Sequence, residues 1–218
     1  MIERHETSVE PAFDVTVVVG TYGDDSWRNL AGERAIPSAV AQAPVIHAHG
    51  ETLADARNIG FAAVQTPWVV FLDADDELPA DYVRIMATGS ADLRVPAVQY
   101  VRNGQPGIPK VPRVSRHRHM CEGSCLEQGN FICIGAAVRT ALVRDVGGFN
   151  EYPWSEDWDL WLRLWLNGAT IETLENATYI AHVRHDSRNR APENAFKVKV
   201  HWDIHRANFP EQYESDVA

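Results

Sequence analysis

Short apolar runs alternate with segments of helical periodicity along this chain, and their order predicts a parallel α/β fold. Residues 14–20 form a β-branched run that ends in glycine, and residues 68–72 form a fully apolar run, so each predicts a buried strand. Between them, Thr52 is placed to cap a helix that Thr66 and Pro67 end. Strand, helix and strand in this order are typical of a mostly parallel central sheet flanked by helices.

The remaining pattern extends this plan over most of the chain. Further helices are predicted at residues 27–43, 79–87, 155–167 and 192–207, and further strands at residues 44–47, 92–101, 130–138, 169–174 and 177–183. The helix at residues 155–167 is the clearest, because Ser155 can cap it and acidic residues occupy its first turn. Helical spacing assigns Trp161 and Trp165 to the core. Three prolines and two glycines at residues 103–112 predict a long loop.

A single domain accounts for this pattern. We expect a flexible N-terminal arm at residues 1–13, a folded domain at residues 14–207 and a flexible C-terminal tail at residues 208–218. The 218 residues are 45% hydrophobic and 23% charged, which excludes a disordered chain. No apolar run approaches the ~20 residues of a membrane span, and the polar, acidic start does not resemble a signal peptide. We therefore expect no transmembrane segment and a cytoplasmic location.

Charge is unevenly distributed along the chain. The net charge of −10 disfavours a general polyanion binder such as a nonspecific DNA-binding protein. Residues 93–121 nevertheless contain no acidic residue and six basic ones: Arg94, Arg102, Lys110, Arg113, Arg116 and Arg118. This stretch can meet an anionic ligand, and a solvated basic face explains it equally well.

The cysteines do not form a disulfide pattern. Cys121, Cys125 and Cys133 are an odd number, and a cytoplasmic protein keeps its thiols reduced. His117 and His119 lie close to the first two, so a zinc site is conceivable. The absence of a C-x₂-C pair favours instead a basic loop with incidental thiols.

Three carboxylates follow the apolar strand of residues 68–72. Asp73, Asp75 and Asp76 stand where the strand ends, and ligands of open α/β sheets bind at that edge. Such carboxylates suit a hard cation, Mg²⁺ or Mn²⁺, which also accepts diphosphate oxygens. The alternative is a solvated acidic turn, or a helix start capped by Asp76 before Pro79.

Six motifs in order give the chain a family resemblance. They are V-V-V-G-T-Y at residues 17–22, A-R-N-I-G at 56–60, F-L-D-A-D-D-E-L-P at 71–79, V-G-G-F at 146–149, E-D-W-D-L-W at 156–161 and H-D-S at 185–187. With them, residues 14–190 resemble the family 2 glycosyltransferases of the GT-A fold. The resemblance implies one Rossmann-like GT-A domain, with a nucleotide-sugar-binding half at residues 14–100 and an acceptor-binding half at residues 101–207.

The resemblance also implies an activity and its site. A metal-dependent enzyme of this kind moves a sugar from a nucleoside-diphosphate sugar to an acceptor hydroxyl with inversion, using Mn²⁺ or Mg²⁺. The implied nucleotide-sugar-binding residues are Thr21, Tyr22, Glu51, Arg57, Asp73 and Ala74. Asp75 is the implied direct metal ligand, and Asp73 faces the ribose or the water shell of the metal.

The base of the nucleotide is less well defined by this resemblance. The family's Pro-x-Tyr-Asn loop is replaced by residues 20–23, Gly-Thr-Tyr-Gly, and its Asp-rich turn by residues 47–51, His-Ala-His-Gly-Glu. Glu51 can stand in for the aspartate, since a carboxylate accepts a hydrogen bond from a uracil or guanine ring N–H. Uridine is the first expectation.

Glu156 and Asp157 open the helix at residues 155–167. The family pattern makes Asp157 the general base and leaves Glu156 to contact the acceptor. The positive end of the helix dipole is expected to lower a carboxylate pKa there and keep it ionised. The alternative is that both carboxylates only stabilise the start of the helix and have no catalytic role. Trp154, just before the helix, offers an aromatic face to an acceptor sugar.

Histidines and competing functions complete the expectations. In this family a histidine at the place of His185 supplies a further metal ligand, with His182 as the competing candidate. The acceptor stays open between a saccharide, a lipid-linked precursor, a protein and a modified nucleic acid, and a homo-oligomer is possible. A non-catalytic nucleotide-sugar-binding module is the first alternative. A phosphatase of the haloacid dehalogenase type is disfavoured, because Glu77 stands where that family needs Thr or Val.

Overall fold

Eight strands form one sheet in this computed structural model, which describes residues 1–112, 126–127, 129–184 and 194–212. The strands are β1 (Ile2–His5), β2 (Val15–Tyr22), β3 (Val45–Gly50), β4 (Trp68–Asp73), β5 (Leu93–Arg102), β6 (Gln105–Pro106), β7 (Ala137–Arg139) and β8 (Ile171–Val183). Their order across the sheet is β1-β3-β2-β4-β7-β5-β6, and β8 pairs with β5. Most paired positions belong to three parallel pairings, β2 with β3, β2 with β4 and β5 with β8. The predicted mixed α/β fold with a mostly parallel sheet is confirmed.

Helices flank this sheet. They are α1 (Asp25–Leu30), a π-helical turn (Ala31–Ala35), α2 (Ile36–Val40), α3 (Leu53–Ala62), α4 (Tyr82–Met86), α5 (Thr140–Asp145), α6 (Glu156–Leu166) and α7 (Asn194–Asn208), followed by a 3₁₀ turn (Pro210–Gln212). Among the helices that the structure describes, each is too short or too polar to cross a bilayer.

The central strands are buried because their side chains are apolar on both faces. Seven of the eight residues of β2 are buried, as are five of the six of β4. Helix α3 packs closely on one face, where a Cβ at Gly60 would lie 2.6 Å from Val18 Cγ1. Thr52 caps α3 as predicted, because its side chain accepts a hydrogen bond from Asp55 N at 3.0 Å. These contacts fix α3 against β2 and β3.

Both chain ends differ from the flexible segments expected there. Ile2–His5 pairs with β3 as an antiparallel edge strand, so part of the arm at residues 1–13 belongs to the sheet. The sequence of this strand contains no apolar run, because an edge strand pairs on one side only and its side chains can stay exposed. Near the C terminus, Phe209 is 4% exposed and Pro210–Gln212 forms a helical turn, so the expected tail begins with residues packed on the fold.

Four predicted elements also have different bounds. The strand predicted at residues 130–138 is reduced to Ala137–Arg139. The two strands predicted at residues 169–183 are one strand, β8, which absorbs a register shift opposite Pro96 and Ala97 of β5. The predicted loop at residues 103–112 starts as a hairpin, because Asn103 and Gly104 both adopt positive φ and return the chain along β5.

Candidate active site

The acidic turn after β4, residues 73–77, is fixed against β8. The Asp76 carboxylate accepts hydrogen bonds from Tyr179 Oη at 2.7 Å and from His182 N at 2.8 Å. Glu77 exchanges two backbone hydrogen bonds with Ile180, both of 3.1 Å. Asp76 is therefore buried and does not cap a helix, and the turn is anchored at its second half while Asp73 and Asp75 remain partly accessible.

Arg57 connects this turn to the start of α6. Its guanidinium is 3% exposed and donates to Asp73 Oδ1 at 2.6 Å and to Glu156 Oε1 at 2.7 Å. The side chain passes close to Gly20, where a Cβ would lie 3.1 Å from Arg57 Cγ, and Gly20 is the register partner of Asp73. Because Gly20 has no side chain, Arg57 has room to form ion pairs with both Asp73 and Glu156, which lie on segments far apart in the sequence.

A second contact joins the same two parts of the chain. Asn58 donates from Nδ2 to Phe149 O at 2.8 Å and accepts from Phe149 N at 2.9 Å. The Phe149 ring in turn lies 5.2 Å below the Arg57 guanidinium. Gly148, with φ of +76°, allows this approach, because a Cβ there would lie 2.6 Å from Asn58 Oδ1. The A-R-N-I-G and V-G-G-F motifs therefore contact each other directly through Asn58 and Phe149.

Asp75 is partly buried beside Asp73 on the acidic turn. Burial, followed by the charge of Asp73, raises the pKa of Asp75 to about 6. Arg34 donates to the Asp75 backbone oxygen at 2.7 Å, and the charges of Arg184 and Arg34 partly oppose this shift in the pKa of Asp75. Burial and the charge of Asp73 nevertheless outweigh these two cations. A hard divalent cation at Asp75 would offset both effects, so the residues present fit Mg²⁺ or Mn²⁺.

Asp157 is held by a side chain that the sequence did not single out. Asn130 Nδ2 donates to Asp157 Oδ2 at 2.9 Å, and Trp158 N donates to Asp157 Oδ1 at 2.8 Å. Burial and then the charge of Glu156 raise the pKa of Asp157 to about 6, although Arg57 opposes this shift. The expectation that the helix start lowers this pKa is wrong, because loss of hydration outweighs the helix dipole.

Carboxylates of the acidic turn and of α6 both act on the buried thiol of Cys133. Burial raises the pKa of the Cys133 thiol, and the charges of Asp76, Asp157 and Asp73 add to that shift. These three carboxylates therefore lie close enough to act on one sulfur atom. Asn130 was missed as a partner of Asp157 because no local spacing marks it.

The predicted base-binding residues lie together at the ends of β2 and β3. Tyr22 is the register partner of Gly50, and the exposed Glu51 follows directly. The Thr21 side chain is 1% exposed, and its hydroxyl lies 2.9 Å from His47 Nε2 and 3.1 Å from His49 Nδ1. Thr21 thus faces the interior, while Tyr22 and Glu51 are accessible to a ligand.

Several other candidates have partners that change their expected roles. Glu156 is 2% exposed and bound to Arg57, so it has no free surface for an acceptor in this conformation. Ser155 adopts φ of 60° and contacts His201 Nε2 at 2.8 Å instead of capping α6. Arg94 is buried with its guanidinium 3.8 Å from the centre of the Trp68 ring, which removes it from any basic surface.

Some of the remaining predicted site residues are described by the structure, and the others lie outside the described residues. Ala74 is 4% exposed, so its backbone is the part that can meet a ligand. Trp154 is half-buried against the core, which leaves its acceptor role a prediction. His182 Nε2 lies 2.9 Å from Glu77 Oε1, which gives this histidine a partner other than Asp75. The following predicted residues lie outside the described ones: His185, His117, His119, Cys121 and Cys125.

Comparison with known families decides the class of the protein. The model of a family described as glycosyltransferase like family 2 matches residues 5–203. The chain belongs to this family. The predicted family membership is confirmed, and the phosphatase alternative is set aside. Enzymes of the GT-A fold commonly use a divalent metal. No curated protein matches the chain significantly.

Solved structures of TarS from S. aureus share the fold. TarS 1–349 in complex with UDP-GlcNAc is 16% identical with a TM-score of 0.65, and the match covers 90% of this chain and 66% of that one. The same fragment in complex with UDP is 18% identical with a TM-score of 0.57, covering 90% and 65%. TarS itself is 17% identical with a TM-score of 0.59, covering 94% and 40%. This chain therefore spans about two thirds of the fragment and less than half of TarS.

Proposed function

We propose that this glycosyltransferase transfers a sugar from a nucleoside-diphosphate sugar, with UDP as the first expectation, to an acceptor hydroxyl with inversion. The observation that carries the proposal is the Arg57 bridge, which joins Asp73 of the acidic turn to Glu156 at the start of α6. This bridge supports a single site made of the acidic turn and the carboxylates Glu156 and Asp157. UDP and UDP-GlcNAc in complexes of TarS support the choice of donor class.

The acidic turn is the proposed donor side. Asp75 would hold a divalent cation, which would neutralise charge on the departing diphosphate, and Asp73 lies beside it on the same turn. Tyr22 and Glu51 are accessible at the neighbouring strand ends and would meet the base. Arg57 and Glu156 act as positioning residues, because Arg57 is buried and fixes the Asp73 carboxylate.

Asp157 is the proposed general base on the acceptor side. Its carboxylate would take the proton of the acceptor hydroxyl while the oxygen forms a bond to the anomeric carbon. The bond from that carbon to the diphosphate oxygen breaks, its electron pair leaves with the nucleoside diphosphate, and the configuration inverts. A pKa of about 6 suits this role, since the group is ionised near neutral pH and still basic enough to accept a proton.

Donor binding is the direct test of this proposal. Thermal stabilisation by UDP-, GDP-, TDP- and CDP-sugars would be measured with and without Mn²⁺. Asp75→Ala should lose the Mn²⁺-dependent stabilisation while the circular dichroism of the parent is kept. Glu33→Ala, which removes an exposed carboxylate elsewhere, is the matched control and should behave like the parent. Metal-dependent binding of a nucleotide sugar by Asp75→Ala at parental affinity would refute the assignment.

The non-catalytic alternative makes a different prediction. A binding module would be stabilised by the same donor but would release no nucleoside diphosphate with any acceptor. The family match and the paired carboxylates favour an enzyme. The cytoplasmic location and a homo-oligomer stay predictions.

A further inference from the structure

A cluster of two histidines and a glutamate lies at the sheet edge, formed by β1 and β3. Glu3 and His47 are register partners across these strands, and His5 follows on the same face of β1 as Glu3. One ligand atom from each of the three residues lies within 4.8 Å of the others. Among the described residues, no other three histidine, cysteine, aspartate or glutamate side chains bring their ligand atoms this close together. It stands apart from the acidic turn and has no role in the proposed transfer.

The distances suit a tetrahedral metal. His47 Nδ1 lies 3.5 Å from Glu3 Oε2, and His5 Nε2 lies 3.9 Å from the same oxygen. Zinc bonds of 2.0–2.2 Å to imidazole nitrogen and carboxylate oxygen place neighbouring ligand atoms ~3.3–3.5 Å apart. The two distances to Glu3 Oε2 are therefore within ~0.6 Å of this spacing, and the two ring nitrogens lie within 4.8 Å of each other.

Thr21 contacts the ring of His47 on the side away from Glu3. Its hydroxyl lies 2.9 Å from His47 Nε2, 3.1 Å from His49 Nδ1 and 3.4 Å from Ala48 O. His47 Nδ1 faces the Glu3 carboxylate at 3.5 Å, which is long for a hydrogen bond. With a metal on Nδ1, the Nε2 proton would be donated to the Thr21 hydroxyl, which would make Thr21 an outer-shell partner of a metal ligand.

His5 supplies an independent indication. Its Nε2 atom is buried and makes no hydrogen bond with the described residues, although it points toward the Glu3 carboxylate. A buried ring nitrogen without a hydrogen bond is costly unless another group binds it. Two imidazoles and a carboxylate, with the fourth position left to water, are a ligand set that zinc accepts in proteins.

We propose that Glu3, His5 and His47 bind a zinc ion that fastens the N-terminal strand to the sheet edge. The ligand is a borderline-soft divalent metal, because two imidazoles favour zinc over Mg²⁺. The ion would stabilise β1 and, through His47, the position of Thr21. The site is separate from the proposed hard-cation site at Asp75.

The test uses the full chain after chelator treatment, carrying Asp75→Asn so that the acidic turn no longer competes for metal. Zn²⁺ is added, and amide hydrogen exchange of residues 2–5 and 45–48 is measured together with the melting temperature. At a hundredfold excess over the dissociation constant we expect a rise of roughly 5–10 °C. Exchange in both strands should slow at the same time.

Variants at the edge decide between this site and any other zinc-binding group. Glu3→Gln and His5→Ala change partly exposed side chains, so the fold should survive, and each should abolish the slowing of exchange in β1 and weaken zinc binding at least ~10-fold. Glu6→Gln, a carboxylate on the same segment outside the cluster, should keep both effects. No zinc-dependent protection of β1, or equal protection in Glu3→Gln and His5→Ala, would overturn the proposal.

Discussion

Replacement of Arg57 by methionine tests whether the bridge between the acidic turn and α6 holds the site together. Arg57 is 3% exposed and Glu156 is 2% exposed, so the variant leaves the Glu156 carboxylate buried without this cation. Removing one partner of a buried ion pair costs about 3–5 kcal/mol. For a chain of this size that lowers the melting temperature by roughly 6–20 °C.

The assay is urea unfolding of the parent, Arg57→Met, Glu156→Gln and the double variant. Because the cost arises from the buried charge of Glu156, the double variant should be more stable than Arg57→Met by more than ~1 kcal/mol. Arg84→Met is the matched control, since its ion pair with Asp81 is 68% and 52% exposed and should contribute at most ~1 kcal/mol. The reasoning is refuted if Arg57→Met loses no more stability than Arg84→Met, or if the double variant is no more stable than Arg57→Met.

Three further predictions concern the carboxylate pair and the motif contact. Asn130→Ala removes a donor to the ionised Asp157, so its pKa should rise and the acid limb of kcat/KM should move to higher pH. Because the native pKa of Asp157, about 6, exceeds its ordinary 3.8, the native state binds more protons between pH 4 and 6 and loses stability as pH rises through that range. Asp157→Asn should remove this loss, at most about 3 kcal/mol, in urea unfolding at pH 4.5 and 7. Gly148→Ala should destabilise more than Gly147→Ala in thermal unfolding, since both have positive φ but the clash with Asn58 exists at Gly148 alone of the two.

Local sequence patterns were sufficient to predict the helices and strands whose bounds depend on neighbouring residues. The apolar run before Asp73 and the cap at Thr52 predicted β4 and α3 with nearly their observed bounds, because burial and capping depend on neighbouring residues. The acidic turn was likewise placed at the strand end, where parallel sheets bind ligands. The edge strand Ile2–His5 was missed, because its pairing depends on β3, more than forty residues away.

The interior of the candidate site depended on contacts that spacing does not encode. Arg57 meets Glu156 across 99 residues of sequence, so a residue expected beside the nucleotide was found buried between two carboxylates. Asn130 reaches Asp157 from a segment with no motif of its own. The shift in the Asp157 pKa also reversed sign, since burial and the charge of Glu156 become known only once the chain is folded.

Turnover of a donor–acceptor pair by Asp157→Asn tests the central claim most directly. With a donor identified by binding, release of nucleoside diphosphate and the anomeric configuration of the product would be measured for the parent, Asp157→Asn and Glu156→Gln. We predict an inverted product and a fall in turnover of at least ~10²-fold in Asp157→Asn, with donor affinity nearly unchanged, because the loss falls on the transition state. A retained configuration, near-normal turnover in Asp157→Asn, or a larger loss in Glu156→Gln would contradict the account.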